Sequence, residues 1–491
     1  MSNIAVAEER DRLQALSQPI SPRGNCRGEG CINSDRSLSE FPGQYVRFGQ
    51  TTAGSPRYRC RKCGATFSQP KSPTHRLRRP EKTPEILRAL INHMSMRRLC
   101  DLIDVTPQTL YQRIGLIHQR CVAFAAAQEA PLVAGKLEMP RMHLAIDRQE
   151  HTLNSATTLD RRQSKLVAAA TTEAASGYVL AQHLNFDVDA DPFELELEAR
   201  EAGDLEVPAP FRRHARLWLP HERLEAPDAA PEDDEAVSTR NDVRAPSRGA
   251  VVHEMISLAA HLQLVARMTQ GAAYVQLSMD REPSLDRLAL LTFADRVRAS
   301  SADVFMVQIN KGMNQGGRRK ALADAQIVLA KHGAQHPAMS EIELLMDLIE
   351  RRYHEATRRF PAARDRWVAH PFPTLSEPER SILCVSDDGL RPRRQLVNGF
   401  ARASLRSIDR YFMQVRRRIH LLERPISTSS ASQRRWYGYS AYSAVVVMRL
   451  LEIFRVVYNY HLVGKQGTTA AQRLGLATLP YSLEALVGMA D

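Results

Sequence analysis

The sequence predicts an α/β protein, a mixed sheet with helices, preceded by a cysteine-bearing ribbon and a small helical domain. Three observations carry that expectation. Two close cysteine pairs, Cys26/Cys31 and Cys60/Cys63, lie in a segment rich in glycine, proline, serine and arginine. Helical patterns with turn and capping signals follow over 82–125. Further on, short apolar strands alternate with helices, and the first and fourth of these strands run into aspartate.

Composition bounds the classes. The 491 residues allow about two to four domains of ordinary size. A hydrophobic content of 43% and a charged content of 25% suit a globular chain. No apolar run approaches the roughly 18 residues a membrane helix needs, and the leading MSNIAVAEERDRLQ lacks a signal-peptide core, so membrane and secreted classes are excluded. Lys+Arg 67 against Asp+Glu 55, a net charge of +12, favours a polyanionic partner. Seven cysteines, an odd count without an export signal, point to a metal site or plain burial rather than to disulfides.

The elements follow in order. Residues 1–20 read as a polar, helix-prone leader of uncertain order, and 21–80 as a zinc ribbon. In the ribbon, Cys26-x4-Cys31 and Cys60-x2-Cys63 form two knuckles, the layout that delivers four soft ligands to a tetrahedral Zn2+. Gly64 supplies a turn after the second knuckle and Phe67 an aromatic to pack on it. Cys100, Cys121 and Cys384 fall on apolar faces and read as core.

Residues 81–128 read as a helix-turn-helix DNA-binding domain. Leu87, Leu90, Ile91 and Met94 share one helical face; Ser95 is placed to cap a second helix whose inner face is Leu99, Cys100 and Ile103. Asp104 and Val105 make the turn, Thr106 is an N-cap and Pro107 suits the first helical position. With Leu110, Ile114 and Ile117 inside, Gln108, Thr109, Tyr111, Gln112 and Arg113 are expected to project outward near the helix start, where a recognition helix reads bases.

The catalytic part is read as 140–186 plus 251–310, interrupted by an acidic, proline-rich insertion or linker at 187–250 whose composition buries little. Strands are expected at 142–148, 165–172, 177–186, 274–280 and 304–310, with helices at 252–269 and 284–298. This succession is that of a ribonuclease-H-like sheet. Its first and fourth strands are neighbours, so Asp147 and Asp280 are expected to meet. Their oxygen ligands suit Mg2+ or Mn2+ in two-ion phosphoryl transfer. A mostly helical insertion spans 311–400, and 401–491 holds C-terminal helices and a basic tail. There Asp409 is the expected third acid, with Arg416 two helical turns on and the run Arg416, Arg417, Arg418 and Arg424 placed to hold phosphates. Glu423, Glu452 and the pair Asp387-Asp388 compete for acidic roles.

With these motifs in view, the chain resembles bacterial transposases of the insertion-sequence-one type. VRFGQTTAGSPRYRCRKCGATFS resembles that family's zinc-binding segment, and the helix-turn-helix occupies the family's place for it. IDRYFMQVRRRIHLLERPISTSS resembles the segment around the family's third catalytic acid, with Asp409 at the position of the usual glutamate. VVYNYHLVGKQGTTAAQRLGLA is similar to transposase endings, with Thr469 where proline is usual. The resemblance implies a DDE/DDD-type enzyme for DNA transposition and recombination, acting on double-stranded transposon ends and target DNA as a homo-oligomer in the bacterial nucleoid, without a membrane. The alternative is a sequence-specific DNA-binding regulator, or a domesticated transposase without strand transfer.

Overall fold

The computed structural model describes residues 2–19, 25–34, 36–38, 41–52, 54–69, 77–154, 164–224, 249–282, 284–423 and 440–489. The chain divides into two compact units, Met1–Ala15 with Gln128–Pro480, and Leu16–Ala127 with Tyr481–Asp491. The expected leader is a helix, α1 (Asn3–Leu16), which belongs to the larger unit and buries Ala5, Val6, Glu9 and Leu13. Its order comes from its tertiary contacts. The Glu9 carboxylate pairs with Arg12 at 2.6 Å and with Arg216 at 3.4 Å, so this polar helix has a charged anchor as well as an apolar one.

In the smaller unit, β1 (Tyr45–Gln50), β2 (Pro56–Cys60) and β3 (Thr66–Ser68) form an antiparallel three-stranded sheet. Helices α2 (Lys82–Leu90), α3 (Met96–Ile103) and α4 (Pro107–Val133) follow, the last running past the smaller unit's boundary at Ala127. Ile86, Leu87, Leu90, Leu99, Leu110, Ile114 and Ile117 are buried, the i, i+3, i+4, i+7 stripe that holds helices together. Ser95 sits at the N-cap of α3 in extended backbone without a side-chain capping bond. Thr106 does cap α4, its Oγ1 accepting from the Thr109 N–H at 3.3 Å. Asp104 takes the left-handed turn at φ 53°, ψ 62°, a conformation short polar side chains tolerate, and Lys82 Nζ donates to its carbonyl at 2.9 Å. The last helix, Leu483–Leu486, packs on α2, so the C-terminal end belongs with this unit rather than with the preceding helices.

The larger unit is mixed α/β around a seven-stranded sheet. Its first strands are β4 (Met139–Leu153), β5 (Ser164–Glu173) and β6 (Val179–Leu184). Then come the two-residue pair β7 (Phe186–Asp187) and β8 (Ala250–Val251), and β9 (Ala272–Asp280), β10 (Ala302–Ile309), β11 (Val368–Ala369) and β12 (Arg380–Cys384). The sheet order is β11-β12-β10-β9-β4-β5-β6. β4, β9 and β10 run parallel, while β5 and β12 are antiparallel to their neighbours. Strand β4 does not stop at Asp147. Its pairing with β9 ends at Ile146↔Met279, but its hairpin with β5 continues to Leu153↔Ser164.

The expected insertion at 187–250 is partly folded. Its described parts, 187–224 and 249–250, hold α5 (Pro192–Glu201), α6 (Pro220–Leu224) and the start of β8, while 225–248 lie outside the described residues. Buried Asp187 fastens it, accepting from Arg216 at 2.5 Å. The Asp191 carboxylate caps α5 through the N–H groups of Phe193 and Glu194. Helix α7 (Glu254–Met268) lies against β5 and β6; the expected helix at 284–298 breaks at Phe293 into α8 (Leu285–Thr292) and α9 (Ala294–Arg298). The 311–400 segment is more than a helical insertion. After α10 (Gln315–Gln335) and α11 (Glu341–Arg359) it adds β11 and β12 to the sheet edge, then α12 (Arg393–Arg402). Helix α13 (Arg406–Arg418) packs across β4 and β5 through Ile408, Tyr411, Phe412 and Val415, and α14 (Ala444–Tyr460) covers β6.

Candidate active site and metal centre

Asp147 and Asp280 occupy the same level on adjacent parallel strands, one residue beyond the last β4–β9 pair. Each carboxylate accepts from the residue that follows it. The Asp147 Oδ1 accepts from the Arg148 N–H at 2.8 Å, and the Asp280 Oδ1 from the Arg281 N–H at 2.8 Å. Helix α13 lies on β4 and β5 by its buried stripe and leaves Asp409 half-buried on its flank. The Thr172 and Ser407 hydroxyls, 2.7 Å apart, tie the helix start to β5.

Asp147, Asp280 and Asp409 lie within electrostatic reach of Lys311. Burial, then the charges of Asp409 and Asp280, push the Asp147 carboxyl up to about 7, against the Arg148 N–H and Lys311, which act to lower it. Burial likewise raises Asp409; Glu377 and Asp280 add to the rise, while Lys311 and Arg416 oppose it. Lys311 Nζ stands 3.2 Å from Asp280 Oδ2. Although partial burial acts to lower its pKa, Asp280, Asp409 and Asp147 together raise it. Lys311 and Arg416 are the cations that act on these carboxylates. The oxygens of the three acids do not all lie within 4.8 Å of one another, so they stand near each other without closing into a single cage.

Two residues of this site were not singled out in the sequence. Lys311 follows the end of a parallel strand, β10, at the edge where the acids collect, and that position was the available signal. Glu377, 1% exposed, accepts from the Leu405 N–H and the Ser404 hydroxyl, each at 2.8 Å, and pairs with Arg380 at 2.6 Å. It anchors the residues that launch α13, and nothing in its local sequence pattern signals this.

The competing acids have other partners. Glu452 is bound to Arg455 at 2.8 Å. Asp387 accepts from the Tyr353 hydroxyl at 2.8 Å, and Asp388 pairs with Arg391 at 2.8 Å. Because β12 runs antiparallel to β10, with Phe305↔Cys384, these two lie beyond the end of the sheet opposite Asp280. Glu423 is half-buried just after α13, and Arg424 lies outside the described residues. Arg417 is exposed, Arg416 and Arg418 half-buried.

In the ribbon, the thiols of Cys26, Cys31, Cys60 and Cys63 lie within 4.8 Å of one another, the first three buried. Cys26 Sγ is 3.1 Å from Cys63 Sγ and Cys31 Sγ 3.9 Å from Cys60 Sγ. Tyr45 and Phe67 close the cluster, ring edge to ring face at 5.2 Å. Burial and the neighbouring Cys63 thiol push Cys26 up to about 12. Cys60 is also buried, but the Asn33 amide and the N–H groups of Cys63 and Lys62 bring it down to about 6. Those donors favour a thiolate, the form that binds metal. A β-carbon at Gly28 would stand 2.7 Å from Cys63 Sγ, so only glycine fits beside the cluster. This four-cysteine group can hold a structural metal such as zinc. Cys121 and Cys384 are buried core residues, and Cys100 is half-buried.

Of the residues expected to face DNA, Gln108, Tyr111 and Gln112 are exposed and Thr109 is half-buried. Arg113 points inward. It is 7% exposed and donates to Thr83 Oγ1 at 3.1 Å and to the Arg78 carbonyl. The reason was in the spacing, since Leu110, Arg113, Ile114 and Ile117 form one i, i+3, i+4, i+7 stripe. Among the described residues no helix is long and apolar enough to cross a membrane. No protein-family model matches the chain, and no curated protein matches it in sequence.

Proposed function

We propose that the protein is a DNA transposase of the DDE/DDD type, a polynucleotidyl transferase that binds element ends and carries out strand cleavage and strand transfer. The observation that carries this reading is the side-by-side placement of Asp147 and Asp280 at the ends of two adjacent parallel strands, with Lys311 3.2 Å from Asp280 and Asp409 within electrostatic reach. The strand order β6-β5-β4-β9-β10, in which β5 alone runs against the others, supports a ribonuclease-H-like catalytic domain. Asp147, Asp280 and Asp409 would hold Mg2+ or Mn2+. Such ions, when bound, activate a nucleophile and stabilise a leaving oxygen in phosphoryl transfer. Lys311 orients Asp280, and Glu377 positions the helix that carries Asp409. Arg416, Arg417 and Arg418 supply positive charge for DNA phosphates.

End recognition is assigned to the other unit. The four cysteines would hold Zn2+ in a ribbon, and α2–α4 would act as a helix-turn-helix, with Gln108, Thr109, Tyr111 and Gln112 at the start of its third helix facing bases. A net charge of +12 suits double-stranded DNA as the partner, and two ends call for a homo-oligomer on DNA.

The test is joining of a pre-cleaved element end to plasmid DNA, run beside a gel-shift assay. Wild-type protein should join in magnesium or manganese. Alanine at Asp147, Asp280 or Asp409 should abolish joining and leave end binding intact. Asp409→Glu, with one more methylene, should keep far more joining than Asp409→Ala. Full joining by the alanine variants would defeat the assignment, and wild-type protein that binds ends but never cleaves would be a regulator.

A further inference from the structure

The hairpin formed by α10 and α11 carries a cluster that the reading above does not use. His332 lies in the last turn of α10 and His336 at its C-cap, four residues on. The His336 N–H bonds to the His332 carbonyl at 3.1 Å, so both rings leave the helix on one side, with centroids 4.7 Å apart. Asp347, from the second turn of α11, faces them: its Oδ2 is 2.8 Å from His332 Nε2. One potential ligand atom from each of the three residues lies within 4.8 Å of the other two; His332 is buried and the others half-buried.

The fourth member is a cation. Arg351, one turn after Asp347, places Nε 2.7 Å from Asp347 Oδ2 and Nη2 3.2 Å from His336 Nε2. A guanidinium has donors only, so the His336 Nε2 must present its lone pair, the form in which imidazole binds a metal. Arg351 thus occupies the position a cation would take between a carboxylate and an imidazole, on a side chain that is 55% exposed and has solvent to swing into once those two contacts are given up.

We propose that His332, His336 and Asp347 form a binding site for a divalent transition metal of the zinc class, with Arg351 as its displaceable stand-in. Two imidazoles and one carboxylate are the donor set that suits zinc, and a fourth position remains on the solvent side. Magnesium and calcium, which take six or more oxygens, are not served by it. An ion here cross-links the end of α10 to α11 and stiffens the hairpin. The proposal is independent of the catalytic assignment.

The test uses the full-length protein, stripped with chelator and titrated with Zn2+ and with Co2+. With excess Mg2+ present to occupy the carboxylate site, two equivalents should bind per chain. Cobalt at the cysteine cluster gives a sulfur-to-metal charge-transfer band, and cobalt at the histidine site gives visible bands without it. His336→Ala should lose only the second equivalent, and Cys60→Ser should keep it. Arg351→Ala should tighten the second site about tenfold, because it removes the competing cation. Circular dichroism on each variant separates lost binding from lost folding. One equivalent in wild-type protein, still one in folded Arg351→Ala, overturns the site; so does a second equivalent that His336→Ala leaves unchanged.

Discussion

Asp147 and Asp280 sit side by side because two parallel strands stop pairing one residue before each of them, at Ile146↔Met279. Beyond that point β4 keeps its partner β5 on one side, while β9 ends. Lys311 reaches the edge so created from a strand end, and Asp409, on a helix, lies within its electrostatic reach.

The Asp147 carboxyl, pushed up to about 7, makes the site pH-dependent. Its folded value lies above the unfolded one, so the folded protein holds the proton more tightly, and stability declines as pH rises through the window from about 4 to 7. Asp147→Asn should therefore stabilise metal-free protein at pH 8 by about 1–3 kcal/mol, an amount discounted for partial exposure. Thermal melts with chelator check this. Joining should show the opposite trend in wild-type protein, rising as pH passes 7, since a divalent ion needs the carboxylate.

The ribbon should depend on its metal. Cys60→Ser should bind no structural zinc and lose the ordered ribbon, read by elemental analysis and proteolysis. Gly28→Ala should weaken metal retention as well, since its β-carbon would press on Cys63 Sγ at 2.7 Å. Unchanged metal content in both variants would remove the cluster's role.

Arg113 belongs to the interior of its unit. Arg113→Ala should cost about 1–3 kcal/mol of stability through the lost bonds to Thr83 and Arg78, without changing which DNA sequence is preferred. Gln112→Ala should leave stability within about 0.5 kcal/mol and reduce discrimination between element ends and random DNA. Binding competitions and denaturant melts separate the two.

A buried histidine pair sets an acid limit. His183 Nδ1 and His261 Nδ1 are 2.9 Å apart, and the His261 Nε2 meets Thr171 Oγ1 at 2.7 Å. Burial brings His261 down to about 3 from an ordinary 6.5, and burial together with the charge of its neighbour holds His183 well below that ordinary value. The unfolded chain then binds more protons than the folded one between these values. Stability contributed here is present above about 6.5 and is lost as pH falls below it. His261→Gln should flatten the acid side of the stability curve, measured by denaturant titration from pH 7 to 4.

Asn459, in the Tyr-Asn stretch of the C-terminal part, ties α14 to β6 by exchanging both bonds with the Val179 backbone at 2.9 Å. Asn459→Ala removes the acceptor of the buried Val179 N–H and leaves its carbonyl only the Arg455 bond at 3.3 Å, and should lower stability by about 2 kcal/mol, as read from the melting midpoint.

The sequence by itself determined what is local. Knuckle spacing brought four thiols to one place, since turns of fixed length fix where their ligands point. The apolar stripes of α2–α4 and the alternation of strands with helices were legible because burial imposes a 3.6-residue or two-residue period on the chain. Even Thr469, out of pattern beside the usual proline, has a local account: its hydroxyl caps the helix Ala470–Leu474 in a capping box with Gln472. The tertiary structure decided what depends on distant partners. It turned Arg113 inward toward Thr83, folded the leader against Arg216 and Asp187, and drew β11 and β12 to the sheet edge. It put Asp387 at the far end from Asp280 and brought Lys311 and Glu377 to Asp409. A buried charge is settled by the group that neutralises it, and that group comes from wherever packing brings the chain, at separations no periodic pattern records.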